Sequence, residues 1–178
     1  MAGLSLAVCA IALAESVSAV TPRPDSVVPR LRPLDGWAKA LLARGVEQSP
    51  TFRALVDRLA EADVIVYVEM GPKVASAPGA LRFVGVSASF RFVHIALDQS
   101  LTHAELVGVL GHELHHAVEV AGAPHIRDEE SLRRFYRAHG EPGRGLGAYD
   151  SEGAREAGHR VRQEVAGSRP EPGVAPGG

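Results

Sequence analysis

The sequence contains almost no cysteine: its 178 residues include one, Cys9, which excludes a disulfide framework within the chain. It also has no excess of charge of one sign. The formal net charge of −2 gives no electrostatic reason to expect a nucleic acid or an anionic membrane surface as a partner. We find no Gly-rich phosphate loop and no Ser-His-Asp order of a serine hydrolase. The chemistry that the composition still permits depends on histidine and carboxylate groups.

A long apolar run is also missing from the body of the chain, where no stretch of about 20 apolar residues occurs. The N-terminal region has a shorter run, residues 4–14 (LSLAVCAIALA), followed by the small-residue pattern Val17-Ser18-Ala19. This combination is typical of a secretory signal peptide and its cleavage site. We expect residues 1–19 to be removed and the mature chain to be periplasmic or secreted, without stable membrane insertion. No Lys or Arg precedes the run, so an uncleaved membrane anchor is the alternative.

The remainder of the chain divides by composition into three parts. Residues 20–33 (VTPRPDSVVPRLRP) contain four prolines and indicate an extended linker. Residues 34–166 are long enough to form one domain with its own core. Residues 167–178 (GSRPEPGVAPGG) have the composition of a disordered tail. We therefore expect a single globular domain between a linker and a tail.

Hydrophobic periodicity predicts helices on both sides of a short series of strands. Helical spacing follows the cap-and-proline pair Ser49-Pro50, and it returns after Thr102 and after Asp128. A last helix starts at Ser151 or Asp150. Three runs have the apolar pattern of strands, at residues 64–68, 81–86 and 90–97. The order of helices, sheet and helices indicates an α+β fold, with Trp37 expected in its core.

The strongest chemical signal is the sequence His112-Glu113-Leu114-His115-His116, in the middle of the helix that follows Thr102. Residues four apart lie on one face of an α-helix, about 6 Å from each other. His112 and His116 can therefore direct one ring nitrogen each at a shared ion, which is how Zn²⁺ is bound by two of its ligands. We expect one zinc ion, with His112 and His116 among its ligands.

Glu113 is the reason to expect a catalytic zinc. It is rotated by about 100° from His112 around the helix axis, so it flanks the ion and does not bind it. There it can act as the general base that accepts a proton from the attacking water. The alternative is an unrelated polar stripe on a surface helix. The apolar neighbours of the motif argue against that, because histidine and glutamate without partners are costly to bury.

Beyond the spacing, the segment VLGHELHHAVEV resembles the active-site helix of the zincin metallopeptidases. The lack of a third histidine soon after His116 makes it similar to the gluzincin branch. Residues 34–165 also resemble a bacterial family of exported HExxH proteins, in the segments Phe52 to Leu59, Asp63 to Glu69, Leu110 to Ala121, Glu130 to Tyr136 and Tyr149-Asp150-Ser151. The resemblance implies a compact zincin-like domain. In it, a small and mainly antiparallel sheet packs on the metal helix, and a downstream helix supplies the third ligand.

The third zinc ligand is expected to be a carboxylate from another element, and three candidates lie downstream: Asp150, Glu152 and Glu156. Asp150 occupies the acidic position in the aromatic-acid-Thr/Ser motif of the resembled family, which favours it. An acid at a helix start is also a common cap. Glu156 has the alternative of pairing with Arg160, four residues further on. We therefore predict Asp150, with Glu156 and Glu152 as alternatives.

Two further side chains are predicted to assist the site. Glu119 lies one turn beyond His116 on the same helix face, too far along to bind the same ion. We expect it to orient a ligand histidine or to pair with a nearby arginine. Tyr149 can donate a hydrogen bond to a developing oxyanion, and plain packing is its alternative.

The predicted activity is hydrolysis of peptide bonds by a zinc-activated water, with Glu113 as general base. The substrate is then a peptide or protein. We expect residues 90–97, interpreted as an edge strand beside the cleft, to pair with it in extended form. The alternative is a zinc-binding scaffold or partner-binding module without catalysis, which has no need of an acid beside its first histidine.

Overall fold

A computed structural model describes residues 30–71, 77–142 and 149–168 of the chain. These residues form groups of helices on both sides of a group of strands, which confirms the α+β fold class. In chain order the elements are β1 (Leu31–Pro33), α1 (Gly36–Gln48), α2 (Pro50–Ala60), β2 (Val64–Gly71), β3 (Gly79–Val86), β4 (Arg91–Asp98), α3 (His103–Gly122), α4 (Glu129–His139), β5 (Glu141–Pro142), β6 (Tyr149–Asp150) and α5 (Glu152–Gly167).

The main sheet has four strands in the order β1-β2-β4-β3. β1 and β2 pair in parallel, β2 and β4 pair in parallel, and β3 and β4 are antiparallel. The prediction of a mainly antiparallel sheet is therefore wrong, because the sheet is mixed. The physical reason is that β4 inserts between β2 and β3, so β2 does not pair with the strand that follows it in sequence. β5 and β6 form a separate antiparallel pair.

β3 is one of the two edge strands of this sheet, and β4 is an interior strand. The prediction that residues 90–97 form an edge strand is therefore wrong. The burial of the two strands explains their positions. β4 is buried along most of its length, whereas exposed and half-buried residues alternate along β3. An interior strand has neighbours on both sides, which requires the nearly continuous apolar sequence that β4 has.

The domain begins earlier than predicted. Leu31–Pro33, which we assigned to the linker, form β1 on the other edge of the sheet. Leu31 is buried and lies opposite Val66 of β2. Pro33 is compatible with this position because an edge strand has one side on which no backbone N–H is needed.

The helices begin at the caps that the sequence predicts. Ser49 accepts a hydrogen bond from a backbone N–H at the start of α2. Glu105 accepts the backbone N–H of Thr102 at 3.0 Å at the start of α3. At the start of α5 the cap is Ser151. Because Ser151 satisfies this helix end, the preceding Asp150 carboxylate is not needed as the cap.

The core lies between one face of the sheet and the helices, and α3 runs through it. α3 contacts α1, α2 and α5 as well as β2, β3 and β4. Its side chains Leu110 and Leu114 are fully buried against interior residues such as Ile95 of β4. Each such aliphatic side chain stabilises the fold by about 1.5–3 kcal/mol. The helix that carries the histidine motif is therefore fixed from several sides.

A buried arginine holds the C-terminal end of α3. The Arg91 side chain is 2% exposed and donates hydrogen bonds to the carbonyl oxygens of Val120 at 2.7 Å and Ala123 at 2.8 Å. Its other nitrogens bind Asp63, at 3.0 and 2.5 Å. Carbonyls at the end of a helix have no partner within the helix, so a buried donor is needed there. Arg91 therefore connects β4 to the end of α3.

Trp37 is 75% exposed, so the prediction that it lies in the core is wrong. α1 turns a different face inward, which consists of Ala38, Leu41, Leu42 and Gly45. Trp37 lies about 90° away from the centre of that face.

The predictions for the two ends of the chain fall mostly outside the residues that the structure describes. The signal peptide assigned to residues 1–19 lies outside the described residues, and so does the tail beyond Ser168. Gly167, the first residue of the predicted tail, is the last residue of α5. Among the helices of the described ranges, none combines the length and the apolar character needed to cross a membrane.

Candidate metal centre

The two motif histidines lie side by side on α3. Their Nε2 atoms are 3.2 Å apart, and the two rings meet edge to face with centroids 4.8 Å apart. His116 is buried and His112 is half-buried. The four-residue spacing therefore brings both ring nitrogens to one point, as the sequence predicts.

Asp150 is the carboxylate that meets them. Its Oδ1 atom lies 3.4 Å from Nε2 of His112 and 3.5 Å from Nε2 of His116. Asp150 is the last residue of β6, and α5 begins two residues later, after the cap. These three residues form one group that could hold a metal ion, with ligand atoms all within 4.8 Å of one another.

Small residues allow α5 to approach α3 closely enough for this arrangement. A Cβ atom on Gly158 of α5 would lie 2.9 Å from Cβ of His112 and 3.0 Å from the carbonyl oxygen of Gly108. A Cβ atom on Gly153 would lie 2.6 Å from the His115 ring. Real Cβ atoms essentially never come within 3.0 Å of another atom, and the neighbours of Gly158 are a Cβ atom and a backbone oxygen, which cannot move aside as a ring can. Gly158 therefore allows the close approach of the two helices, on which the distance from Asp150 to the histidines depends.

The three donor residues are arranged for binding a cation and not for hydrogen bonding to one another. Asp150 Oδ1 is buried and makes no hydrogen bond, and its distances to the two Nε2 atoms exceed those of ordinary N–H···O bonds. Two imidazole nitrogens and one carboxylate oxygen converge there, and each can offer a lone pair. Ligand atoms about 2.0–2.1 Å from a tetrahedral ion lie about 3.3 Å from each other. The three observed separations, 3.2, 3.4 and 3.5 Å, are close to that value.

Without an ion, the pKa values of the two histidines shift in opposite directions. Burial and the neighbouring His116 lower the pKa of His112 to about 4. Burial also lowers the pKa of His116, but the carboxylates of Asp150 and Glu119 outweigh it and raise this pKa to about 9. Burial raises the pKa of Asp150, and the two histidines more than reverse this effect. A positive charge at this point is therefore stabilised by its surroundings.

Glu113 lies beside the group and is not part of it. Its side chain is buried, and burial is the main reason that its pKa rises to about 7. The backbone of Leu81 in β3 partly offsets this rise in the pKa. Gly79 of the same strand passes so close that a Cβ atom there would lie 3.1 Å from Glu113 Oε1. A carboxylate with a pKa near neutrality is suited to accept and return a proton.

Glu119 holds the opposite side of the His116 ring. Its Oε2 atom accepts hydrogen bonds from His116 Nδ1 at 2.7 Å and from the Tyr136 hydroxyl at 3.1 Å. Its Oε1 atom lies 3.4 Å from Nδ1 of His115. Burial raises the pKa of Glu119, but the neighbouring His115, His116 and Ser151 side chains reverse this and hold the pKa well below its usual value. Because His116 donates through Nδ1, Nε2 is the nitrogen left to bind an ion, and it faces His112 and Asp150.

Sequence reasoning missed Tyr136. Its hydroxyl lies 2.9 Å from His116 Nδ1, and its ring meets the His116 ring edge to face. Burial, followed by the charge of Glu119, raises its pKa far above the usual value, so the hydroxyl keeps its proton. Tyr136 belongs to the helical pattern of α4, and only the position of α4 against α3 reveals this contact. The sequence contains no signal that could have found it.

The two alternative candidates for the third ligand are not brought to the group. Glu152 and Glu156 are exposed on α5, and Glu156 forms a salt bridge with Arg160, as its alternative interpretation predicted. Tyr149 is described only as a residue of β6, so its catalytic role stays a prediction. His94 lies on the sheet, where it contacts Glu69 and Arg82.

Comparisons of the chain with protein-family models, with curated proteins and with solved structures found no match.

Proposed function

We propose that the protein is a zinc-dependent hydrolase that cleaves peptide bonds, with a zincin-like fold. One observation carries the proposal. A group of three donor residues lies next to a buried carboxylate, Glu113, that does not belong to the group. A structural zinc site uses four protein ligands, whereas a catalytic site uses three and leaves a position for water or substrate. A catalytic site also needs a base, and Glu113 fits that role.

His112, His116 and Asp150 would hold the zinc ion. Two imidazole nitrogens with one carboxylate oxygen are a common ligand set for catalytic Zn²⁺, and the separations of about 3.3 Å expected for tetrahedral coordination are met closely. When bound, zinc supplies Lewis-acid chemistry, because it polarises a carbonyl group and lowers the pKa of water. Glu119 and Tyr136 keep the His116 ring in the orientation and tautomer that binding requires.

Glu113 carries the proton in the proposed reaction. It accepts one proton from the attacking water while the water oxygen bonds to the carbonyl carbon of the substrate. It then gives that proton to the leaving nitrogen as the carbon–nitrogen bond breaks. The carboxylate is thereby regenerated and one water is consumed. The buried position of Glu113, with its pKa near 7, supports both halves of this role.

The substrate class rests on β3. This strand is an edge of the sheet, and its residue Leu81 contacts Glu113. An extended peptide that adds to a sheet edge receives main-chain hydrogen bonds from it and is positioned along it. A peptide paired with β3 would therefore pass beside the base. β3 takes the part that we predicted for residues 90–97.

The proposal is tested first on the metal. We expect one zinc ion per chain by elemental analysis of the purified protein, and loss of zinc in Asp150→Asn. Glu156→Gln is the matched control on the neighbouring helix and should keep its zinc. A digest of a peptide library by the zinc-loaded protein then tests the reaction. Zinc retained in Asp150→Asn, or a zinc-loaded protein that cleaves no peptide, would contradict the proposal.

A further inference from the structure

The outward edge of β3 is already occupied. The N–H of Phe83 donates a hydrogen bond to Glu129 Oε2 at 3.1 Å, and the same strand passes close to Glu113 at Gly79, where a Cβ atom would lie 3.1 Å from Glu113 Oε1. Glu129 is the first residue of α4, which packs against β3. Carboxylates from two different helices thus lie along the same strand, and Glu129 satisfies a backbone donor of it.

A carboxylate oxygen on a strand N–H takes the place of a peptide carbonyl. In a β-ladder each outward N–H donates to a carbonyl of the next strand. Glu129 provides an acceptor of the same kind without a strand. A peptide that paired with β3 at Phe83 would bring its own carbonyl to a donor that Glu129 uses, and it would meet the negative charge of that side chain.

Glu129 has an alternative position. Its side chain is 44% exposed, so it can turn into solvent at the cost of one partly buried hydrogen bond, the one to Phe83. Arg133, one turn further along α4, has its Nε atom 3.4 Å from Glu129 Oε1 and is itself 64% exposed. At the first position of the helix a negative charge is also stabilised by the helix dipole, whichever way the side chain points. The carboxylate can therefore leave Phe83 and still have favourable partners.

We propose that Glu129 competes with the substrate peptide for the edge of β3 and must leave Phe83 before the peptide can pair there. This proposal rests on the proposed function, because it takes an extended peptide as the ligand of β3. It makes Glu129 a determinant of peptide affinity and of where pairing with β3 stops. Glu129 touches neither the metal ligands nor the base, so its removal acts on binding.

Peptide binding is measured without cleavage to test this. The probe is a pool of fluorescein-labelled, unstructured peptides, and the protein is the zinc-loaded full chain with Glu113→Gln. We expect Glu129→Ala in this background to lower the dissociation constant by about fivefold, which is the scale of one hydrogen bond to a half-exposed charged group. Glu130→Ala is the matched control. Glu130 is the next residue on α4 and pairs with Arg134, so its removal should leave the affinity unchanged.

Hydrogen exchange at the Phe83 amide gives a second readout in the same proteins. Glu129→Ala should speed exchange of this amide in the free chain, and added peptide should slow it again. Equal affinities with and without Glu129, including no measurable binding in both, would overturn the proposal. Self-association of Glu129→Ala in place of peptide binding would also overturn it, because Glu129 would then protect the edge against a second copy. Tighter binding by Glu129→Ala, together with no cleavage by the wild-type chain, would refute the hydrolase and keep the role of Glu129.

Discussion

At the scale of single residues, the candidate site depends on which nitrogen of His116 carries the proton. Glu119 and Tyr136 both lie on the Nδ1 side of the ring, at 2.7 and 2.9 Å. Nδ1 therefore keeps its proton, and Nε2 is the nitrogen that can bind an ion once it has lost its own proton. The same carboxylate approaches His115, so it links two neighbouring side chains of α3. Glu119 is consequently a positioning residue for the candidate metal ligand His116.

Removing Glu119 should weaken metal binding without removing a ligand. We expect Glu119→Ala to lower zinc affinity by about 10–100-fold, because His116 loses the acceptor that fixes its tautomer and ring orientation. Tyr136→Phe removes one hydroxyl and keeps the bond to Glu119, so its effect should be smaller. Competition with a coloured zinc chelator measures both. Wild-type affinity in Glu119→Ala would show that the ring is oriented by packing alone.

At the scale of elements, the site is a contact between α3 and the start of α5. α3 supplies both histidines and the candidate base. Asp150 lies two residues before the start of α5. Gly108 and Gly158 face each other where the helices are closest. The position of Asp150 thus depends on residues that do not touch it.

A single methyl group at this contact should disturb the metal centre. Gly158→Ala would bring a Cβ atom to 2.9 Å from His112 and force α5 away from α3. We expect a loss of stability of about 1–3 kcal/mol, as for other overpacked interiors, together with weaker zinc binding. Gly167→Ala is the matched control on the same helix, since no atom lies within 4 Å of a Cβ there. Urea unfolding and chelator competition are the measurements, and equal behaviour of the two variants would contradict the account.

The elements differ in how far the sequence predicts them. The helix starts at Ser49, Thr102 and Asp128 depend on local capping residues, which can be recognised in the sequence. The order of strands depends on pairing between distant residues, so the interior position of β4 and the edge position of β3 were predicted wrongly. The sequence of β4 did contain a usable signal, because a nearly continuous apolar run is typical of an interior strand.

The candidate site shows the same division. The spacing of His112 and His116 within one helix is local and predicts that their Nε2 atoms meet. The choice among the three downstream acids depends on how α5 packs, and spacing alone left it open. The contact between Tyr136 and His116 depends on the docking of α4, so no pattern in the chain reveals it.

At the scale of the whole molecule, the fold should lose stability in acid through Asp63. The hydrogen bond from Arg91 is the main reason that the Asp63 pKa lies below its ordinary value. Since the folded pKa is lower than the unfolded one, the charged carboxylate stabilises the fold above about pH 4 and this stabilisation is lost as the pH falls further. The ion pair also holds Arg91 in place, and Arg91 binds the carbonyl oxygens at the C-terminal end of α3.

The Asp63→Asn variant isolates this contribution. We expect it to be less stable than the wild type by about 1 kcal/mol near neutral pH, a modest value because Asp63 is half-exposed and screened by solvent. The difference should shrink as the pH falls below about 4, where the wild-type carboxylate becomes protonated. Urea unfolding of both proteins across this range is the measurement. A difference that stays constant in acid would show that the charge of Asp63 is not what stabilises the fold.

The central claim is that Glu113 is a base beside a metal site and not a ligand of it. Glu113→Gln tests this most directly, because glutamine has nearly the same shape as glutamate and can occupy the same buried position. It cannot accept a proton from water.

Peptide hydrolysis and zinc content are measured on the same preparations of wild type and Glu113→Gln. The account predicts one zinc per chain in both proteins and a loss of activity of about 10²–10⁴-fold or more in the variant, the usual contribution of general-base catalysis. Equal activity of the two zinc-loaded proteins would contradict the role of Glu113. A zinc-loaded wild type without activity would instead indicate a metal-stabilised scaffold.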